Sequence, residues 1–265
     1  MKLLIDAGNT RIKWAWVDGG IWLRSGILPV EQAGELSQQF AGLKGMRQVW
    51  VSNVAGEAVA QHIRDACAGL SAQPRFIAAR AAHCGVHNGY SSPAQLGSDR
   101  WAALIAAWHL VGGTCLVVNS GTATTIDALS AQGEFIGGLI LPGVALMQRS
   151  LSGATAQLQV AQAGEYAPFP LNTADALYSG ALQASCGAIE RQHALLGETC
   201  PEPGRSGGAP VVLSGGAAAV LRDRLNVPLR IVDNLVLQGI LLIAQETNGL
   251  IAQELNGLIA QKANG

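Results

Sequence analysis

The stretch Leu3-Leu4-Ile5-Asp6-Ala7-Gly8-Asn9-Thr10 decides the fold, because it joins an apolar run to a polar turn near the start of the chain. The apolar run predicts a buried strand that ends at an aspartate, and a glycine-asparagine pair is common in hairpin turns. Two further strand patterns follow, Ile12 to Val17 and, after a second glycine turn, Ile21 to Ser25. The sequence therefore predicts a meander of three antiparallel strands.

The same order of elements recurs in the second half of the chain. Cys115 to Val118 is an apolar run, a polar Asn119-Ser120-Gly121-Thr122 turn follows, and Thr124 to Leu129 predicts the next strand. Gly133 to Leu141 completes a second meander. Elsewhere the pattern predicts strands at 48–53, 75–78 and 211–214, and helices at 57–68, 97–110 and 173–195. The two halves are variants of one design.

Both turns have residues suited to phosphate. A carboxylate at a strand end can hold magnesium, while small residues after it let backbone N–H groups approach phosphate oxygens. Two such loops can clamp one nucleotide for phosphoryl transfer, although the first loop alone is equally well explained as an ordinary hairpin. The P-loop pattern and a G-x-G-x-x-G run after a strand do not occur, so those two nucleotide-binding folds are unsupported.

A third candidate element is Gly97-Ser98-Asp99-Arg100, at the start of a predicted helix. An aspartate there is most often a helix cap. Beside an arginine and behind a glycine, Asp99 can also accept the proton of a substrate hydroxyl, and Arg100 can bind an anionic part of the substrate.

The composition limits the classes of molecule that this protein is expected to bind. The formal net charge of −1 and a pI near 6.5 give no electrostatic reason to expect nucleic acid or an anionic membrane as the partner. No run of 18 uninterrupted apolar residues is present, and the N-terminus lacks the pattern of a signal peptide. We expect a cytoplasmic protein that acts on a small metabolite.

The cysteines and histidines show no sequence pattern of a disulfide framework or a metal site. The five cysteines are widely spaced without a C-x-x-C pair, which suggests neither disulfides nor a zinc site. The five histidines show no ligand spacing and are interpreted as surface or packing residues. An eight-residue near-repeat from Ile243 to the end is interpreted as an expanded helical tail with no chemistry.

Taken in order, these motifs resemble the type III pantothenate kinases, of the acetate kinase, sugar kinase, Hsp70 and actin superfamily. The resemblance covers almost the whole chain. It rests on Asp6-x-Gly8-Asn9-Thr10, Tyr90-x-x-Pro93-x-x-Leu96-Gly97-x-Asp99-Arg100-Trp101, Gly121-Thr122-Ala123-x-Thr125-x-Asp127, Gly137-Gly138-x-Ile140-x-Pro142-Gly143-x-x-x-Met147, Asn172-Thr173 and Ser214-Gly215-Gly216.

The resemblance implies an α/β fold of two ribonuclease-H-like (actin-like ATPase) domains, 1–113 and 114–265, each with a mixed sheet and with a cleft between them. It implies a homodimer that phosphorylates pantothenate with ATP and Mg²⁺. Asp99 would be catalytic, and Asp6 would also lie at the magnesium. The phosphate-binding residues would be Asp6, Ala7, Gly8, Asn9, Thr10, Arg11, Ile12, Lys13, Gly121 and Thr122. The substrate-binding residues would be Tyr90, Gly97, Ser98, Asp99, Arg100 and Thr173, the last from the partner subunit.

Asn119 departs from the family pattern. Many members carry an aspartate there that helps hold the potassium or ammonium ion these enzymes need. An amide oxygen can coordinate such a cation but lacks the charge and binds it more weakly. We therefore expect a weakened monovalent-cation site at Asn119.

Two other functions stay open at this point. One is a non-catalytic transcription accessory factor, since relatives have carried the label Bvg accessory factor; the charge and the absence of a recognisable DNA-reading element argue against DNA binding. The other is a sugar or acyl kinase of the same superfamily, which the pattern from Gly97 to Arg100 disfavours.

Overall fold

The computed structural model describes residues 1–154, 164–201, 208–247 and 249, which form two compact units. The first unit contains Met1–Val86, Ser91–Ala106 and the chain from Leu235, and the second contains His87–Tyr90 and Ala107–Asn234. The predicted domain boundary at 113/114 stays a prediction, and the compact units differ from it chiefly in grouping the chain from Leu235 with the first half. The tail repeats from residue 250 onward lie outside the described residues.

The first unit is built on a five-stranded mixed sheet. Its strands are β1 (Lys2–Ala7), β2 (Arg11–Asp18), β3 (Ile21–Pro29), β4 (Gln48–Asn53) and β5 (Pro74–Phe76), in the order β3-β2-β1-β4-β5. Strand β2 is antiparallel to its neighbours β1 and β3, whereas β4 is parallel to its neighbours β1 and β5. Strand β1 is central because three consecutive residues, Leu3 to Ile5, are fully buried.

Helices cover this sheet. They are α1 (Leu36–Gln39), α2 (Glu57–Cys67), the start of α3 (Ser98–Val111) and a helix over residues 235–247, which we call α7. Helix α2 packs by its apolar stripe, in which Val59, Ile63 and Cys67 recur at helical spacing and are buried. Gly239 of α7 lies against the backbone of Ala102 in α3, where a side chain would collide. That contact joins α7 to the helix whose first turn carries Asp99.

The second unit repeats the order of strands. Its strands are β8 (Cys115–Ser120), β9 (Ala123–Leu129), β10 (Glu134–Pro142), β11 (Val211–Ser214) and β12 (Leu229–Ile231). Two short strands precede them in the chain, β6 (Ala82–His83), which is grouped with the first unit, and β7 (Val86–Asn88). The sheet order is β12-β11-β8-β9-β10-β7-β6. Strand β9 is antiparallel to β8 and β10, while β11 is parallel to β8 and β12. Helices α4 (Val144–Ala154), α5 (Thr173–Thr199) and α6 (Ala218–Arg222) complete the unit.

Both predicted meanders, and the predicted strands and helices between them, are confirmed with ends shifted by a few residues. The α/β class with two mixed sheets is confirmed as well. The sequence reasoning missed the strands β6, β7 and β12 and the helices α1 and α4, and it predicted only the part of α7 that begins at Ile243. Among the described residues, no helix combines the length and the apolar character that a membrane crossing requires.

Candidate active site

Asp6 lies in a row of polar residues across the first sheet. It pairs with Lys13 on the antiparallel strand β2 and with Ser52 on the parallel strand β4. Residues opposite one another on neighbouring strands point to the same face of a sheet. A carboxylate, an ammonium and a hydroxyl are therefore presented together near the ends of three strands.

The charge on Asp6 is unfavourable in its surroundings. Burial, followed by the charge of Asp99, raises the pKa of Asp6 to about 7, and the charge of Lys13 opposes this rise. The Asp6 side chain is half-buried. A buried carboxylate that lies near a second carboxylate is stabilised by a cation placed beside it, because the cation offsets both the desolvation and the repulsion.

Asp99 reaches this location through the first turn of α3. Its Oδ1 accepts a hydrogen bond of 2.8 Å from the backbone N–H of Arg100, and it lies so close to Gly97 that a side chain there would displace it. The N–H of Trp101 donates to the carbonyl of Gly97 at 2.9 Å, which starts the helix. Gly97 is thus needed for close approach rather than for unusual backbone angles.

Ser98 ties this helix start to the sheet. Its Oγ lies 2.8 Å from Oγ of Ser52, and both side chains are buried. Ser52 pairs with Asp6 across the sheet, so the hydroxyl pair connects β4, the strand next to Asp6, to the helix that carries Asp99. Sequence reasoning missed Ser52, since a serine within an apolar strand has no local signature of function.

The predicted first phosphate loop is a tight turn between β1 and β2. The N–H of Gly8 donates to the carbonyl of Arg11 at 3.0 Å, and a β-carbon at Gly8 would meet that carbonyl at 3.4 Å. Asn9, Thr10 and Arg11 are exposed. The side chains of Ala7 and Ile12 are fully buried in the core, so these two residues can offer a ligand only their backbone.

The predicted second phosphate loop lies in the second unit, between β8 and β9. Gly121 and Thr122 are exposed at the turn, which is closed by a 2.9 Å hydrogen bond from the N–H of Gly121 to the carbonyl of Ala123. Below the turn the hydroxyls of Ser120 and Thr124 lie 2.9 Å apart and are buried. The loop is rigidly supported and exposes its backbone.

Glycines from two other segments complete this loop. Gly143 donates to the carbonyl of Thr122 at 2.8 Å. Gly215, with a φ of +101°, packs against the backbone of Ser120 where a β-carbon would be 2.3 Å from the carbonyl oxygen. The predicted motifs around Gly143 and Gly215 are therefore brought together with the loop at Gly121.

Asn119 lies one residue before the end of β8. It pairs with Thr125 on β9 and with Ser214 on β11, and its side chain is half-buried. Oxygen-bearing side chains at three adjacent strand positions suit a hard cation, but none of them is charged. The donor set fits a weak monovalent-cation site.

The predicted substrate residues fall into separate parts of the chain. Gly97, Ser98, Asp99 and Arg100 lie at the start of α3, where Arg100 is buried. Tyr90 belongs to the second unit, where its ring contacts Phe135 with centroids 5.2 Å apart. Thr173 is the exposed first residue of α5, after Asn172, whose side chain caps the helix by accepting from the N–H of Asp175 at 3.0 Å.

Comparison with known proteins agrees with these motifs. Residues 2–194 match the family model described as type III pantothenate kinase. A type III pantothenate kinase from Nitrosospira multiformis is 48% identical over 251 residues, which cover 94% of this chain and 92% of that protein. A second, from Aromatoleum aromaticum, is 48% identical over 246 residues, covering 93% and 98%.

Solved structures show the same fold at low sequence identity. A protein from Sinorhizobium meliloti described as a 2-dehydro-3-deoxygalactonokinase is similar with a TM-score of 0.61 and 16% identity, over 93% of this chain and 99% of that one. At this identity the likeness bears on the fold alone.

Proposed function

The chain belongs to the type III pantothenate kinase family, and we propose that it transfers the γ-phosphoryl group of ATP to the primary hydroxyl of pantothenate. The product is 4′-phosphopantothenate, and the reaction is the first step of coenzyme A biosynthesis. The observation that best supports the proposal is that Asp99 lies near enough to Asp6 for its charge to raise the pKa of Asp6. Phosphoryl transfer needs both a carboxylate that binds a cation and a proton acceptor, and these two residues can supply them.

Asp99 is the proton acceptor. As the substrate oxygen forms its bond to the γ-phosphorus, the bond from that phosphorus to the β,γ-bridging oxygen breaks, and the hydroxyl proton passes to the Asp99 carboxylate. The close fit of Gly97 and the hydrogen bond from the N–H of Arg100 fix the direction of this carboxylate. A carboxylate suffices for this role, because the loose transition state requires little early proton removal.

Asp6 holds magnesium together with the phosphates. The metal, when bound, neutralises charge on the phosphate oxygens. The surroundings fit a cation, because burial and then the charge of Asp99 raise the pKa of Asp6, and a cation beside this carboxylate would offset both effects. Lys13, opposite Asp6 in the sheet, adds a second positive charge for the phosphates.

Two loops offer backbone N–H groups to phosphate oxygens. In the first, residues 6–13 present backbone N–H groups and the Thr10 hydroxyl. In the second, Gly121 and Thr122 do the same on a turn that Gly143 and Gly215 support. Small residues at both turns keep the backbone accessible to anions.

Pantothenate is bound by Tyr90, Gly97, Ser98, Arg100 and Thr173, with Arg100 on the carboxylate of the substrate. We further propose a homodimer in which Thr173 serves the partner's site. The support for it is exposed apolar surface directly before α5, where Phe169 is 89% and Leu171 99% exposed. Potassium or ammonium would bind weakly at Asn119, and the reaction would take place in the cytoplasm, where ATP is plentiful.

The test is a coupled assay that measures ADP release from ATP and Mg²⁺ with a panel of acceptors. The panel includes pantothenate, hexoses and small carboxylic acids, and the phosphorylated product is identified by its mass. We expect phosphorylation of pantothenate and of no sugar or acyl acid. Phosphorylation of a sugar alone would replace the proposal by a sugar kinase. No ADP release with any acceptor, from a protein that binds ATP, would favour a non-catalytic accessory factor.

The substitution Asp99→Asn tests the proton acceptor. We expect turnover to fall by roughly a hundred- to ten-thousandfold, while calorimetry shows ATP binding unchanged. Asp65→Asn is the matched control, since Asp65 is an exposed carboxylate on α2 that accepts a hydrogen bond from the side chain of Gln61. Near-normal turnover in the Asp99 variant would show that another group takes the proton.

A further inference from the structure

One cluster of metal-binding side chains lies apart from the residues assigned above. His83 and Cys84 are consecutive at the turn between β6 and β7, and Glu246 lies on α7. All three residues belong to the first unit. Within the described part of the chain, they are the one group of three histidine, cysteine or acidic residues whose ligand atoms all lie within 4.8 Å of one another.

We propose that His83, Cys84 and Glu246 form a binding site for a divalent transition-metal ion of the zinc class. The ligands would be Nε2 of His83, Sγ of Cys84 and a carboxylate oxygen of Glu246, with water as the fourth. One imidazole, one thiolate and one carboxylate are a donor set that suits Zn²⁺ or Co²⁺, whereas a thiolate is a poor ligand for Mg²⁺ or Ca²⁺. The inference does not depend on the proposed kinase reaction.

The distances fit a tetrahedral ion. Nε2 of His83 lies 3.1 Å from Oε2 of Glu246. Two ligand atoms at bond lengths of about 2.0–2.1 Å from zinc, in tetrahedral geometry, are separated by about 3.3 Å. The pair needs to move by only a few tenths of an ångström, and the thiol is already within reach of both atoms.

The exposure of the three side chains leaves a route for the ion. Cys84 is buried, His83 retains 11% of its side-chain exposure, and Glu246 retains 41%. The ion would approach from the side of Glu246 and would keep an exchangeable water on that side. Without metal, Oε2 of Glu246 accepts a 2.8 Å hydrogen bond from the N–H of Cys84 and faces the His83 ring, so the carboxylate is held in place.

The backbone conformation of Cys84 indicates which substitution best removes its thiol. Its φ is +52° and that of Gly85 is +75°, so the two residues occupy the turn in the left-handed region that asparagine and glycine adopt most readily. Asparagine at residue 84 removes the thiol without disturbing the backbone. Burial, together with hydrogen bonding to Glu246, raises the pKa of the Cys84 thiol, so loading the site must release a proton.

Such an ion would cross-link two segments that are distant in sequence. Cys84 and Glu246 are 162 residues apart in sequence, and the ion would join the hairpin turn to the C-terminal helix α7. A metal that binds the folded state alone raises the melting temperature as its concentration rises. The nearby charge of Arg80 opposes binding, as its effect on the pKa of His83 indicates.

The test uses the full chain, stripped with a chelator and titrated with Co²⁺ without nucleotide. We expect one Co²⁺ per chain, with thiolate-to-cobalt charge-transfer absorption and the intense ligand-field bands of a tetrahedral ion. Cys84→Asn, His83→Gln and Glu246→Gln should each abolish the charge-transfer absorption. Their affinity should fall by more than the roughly 10–100-fold that loss of an outer-shell partner costs.

Two controls keep the proposal open to refutation. Cys200→Ser, which removes a half-buried cysteine of the second unit, should retain the full signal, and Arg80→Gln should bind more tightly. Zn²⁺ should raise the melting temperature of the wild type but not of Glu246→Gln, whose helix position tolerates glutamine. Absence of charge-transfer absorption at saturating Co²⁺, or equal absorption in wild type and Cys84→Asn, would overturn the proposal.

Discussion

The two sheets of this protein share one plan and differ in chemistry. In the first, the order β3-β2-β1-β4-β5 places Asp6 between Lys13 and Ser52. In the second, the equivalent order β10-β9-β8-β11-β12 places Asn119 between Thr125 and Ser214. Each central strand has an antiparallel neighbour on one side and a parallel neighbour on the other.

The difference lies in what surrounds the two central strands. Asp6 is influenced by the charges of Asp99 and Lys13, so the first sheet presents ionisable groups. Asn119 has neutral neighbours, and the loop after it is held by glycine contacts between backbones. The same strand order therefore supports a group of ionisable side chains in one unit and a loop held by glycine contacts in the other.

Among the substitutions that test the comparison of the two sheets, the largest effect is expected when the first sheet is made like the second. Asp6→Asn removes the carboxylate that we assign to magnesium, and we expect turnover to fall roughly a hundred- to a thousandfold. Circular dichroism should show an unchanged fold, because asparagine has nearly the same volume. Asp65→Asn serves again as the control, and turnover within a factor of three or so of wild type would remove Asp6 from the mechanism.

The contact between Gly215 and Ser120, which supports the loop of the second sheet, is tested by Gly215→Ala. The added β-carbon would meet the backbone of Ser120 in a left-handed conformation, and we expect the free energy of unfolding to fall by about 2–4 kcal/mol. Gly121→Ala is the matched control for stability, since its nearest contact would be an ordinary 3.9 Å. Equal urea midpoints for the two variants would show that the Gly215 contact is not required.

The raised pKa of Asp6 has a consequence for stability. Between pH 3.8 and about 7 the folded chain keeps a proton that the unfolded chain releases, so the free energy of unfolding falls as pH rises through this range. The shift sets an upper limit of about 4 kcal/mol, and screening by solvent should reduce it to about 2 kcal/mol.

Urea denaturation without nucleotide or Mg²⁺ measures this effect. The wild type should lose stability relative to Asp6→Asn from pH 4 to 7, with no further relative change above that. A difference between the two proteins that does not vary with pH would contradict the perturbed ionisation. Asp65→Asn should follow the wild type at every pH.

The smallest effect is expected when the second sheet is made like the first. Asn119→Asp adds a charge to the predicted monovalent-cation site, and cation affinity rises with ligand charge. The potassium concentration that gives half-maximal activity should fall by roughly three- to tenfold. Choline chloride controls for ionic strength, and an unchanged potassium dependence would show that Asn119 does not contact the cation.

Local patterns predicted most of the fold. The meanders, β4, α2, α3 and α5 were all recognisable, because each is long enough for its apolar residues to show a period. The strands β6, β7 and β12 have only two or three residues, which is too few for a period. They exist because neighbouring strands offer hydrogen bonds.

The candidate site was predicted less completely. The motifs led to Asp6, Asp99 and the glycine turns, since these residue types at strand and helix ends have a direct chemical interpretation. Ser52 was missed because its role depends on the Ser98 hydroxyl, 46 residues away. The interpretation of His83 as a packing residue did not consider Cys84 and Glu246 together, because their spacing follows no ligand pattern.

By itself, the sequence determined the order of strands and helices, the two turn motifs and the family. Those properties follow from side-chain periodicity and turn chemistry over a few neighbouring residues. Only the tertiary structure decided that Asp6 faces Lys13 and Ser52, that burial and then the charge of Asp99 raise the pKa of Asp6, and that Glu246 meets Cys84. These contacts depend on strand register and helix packing, which bring together residues that no local preference connects.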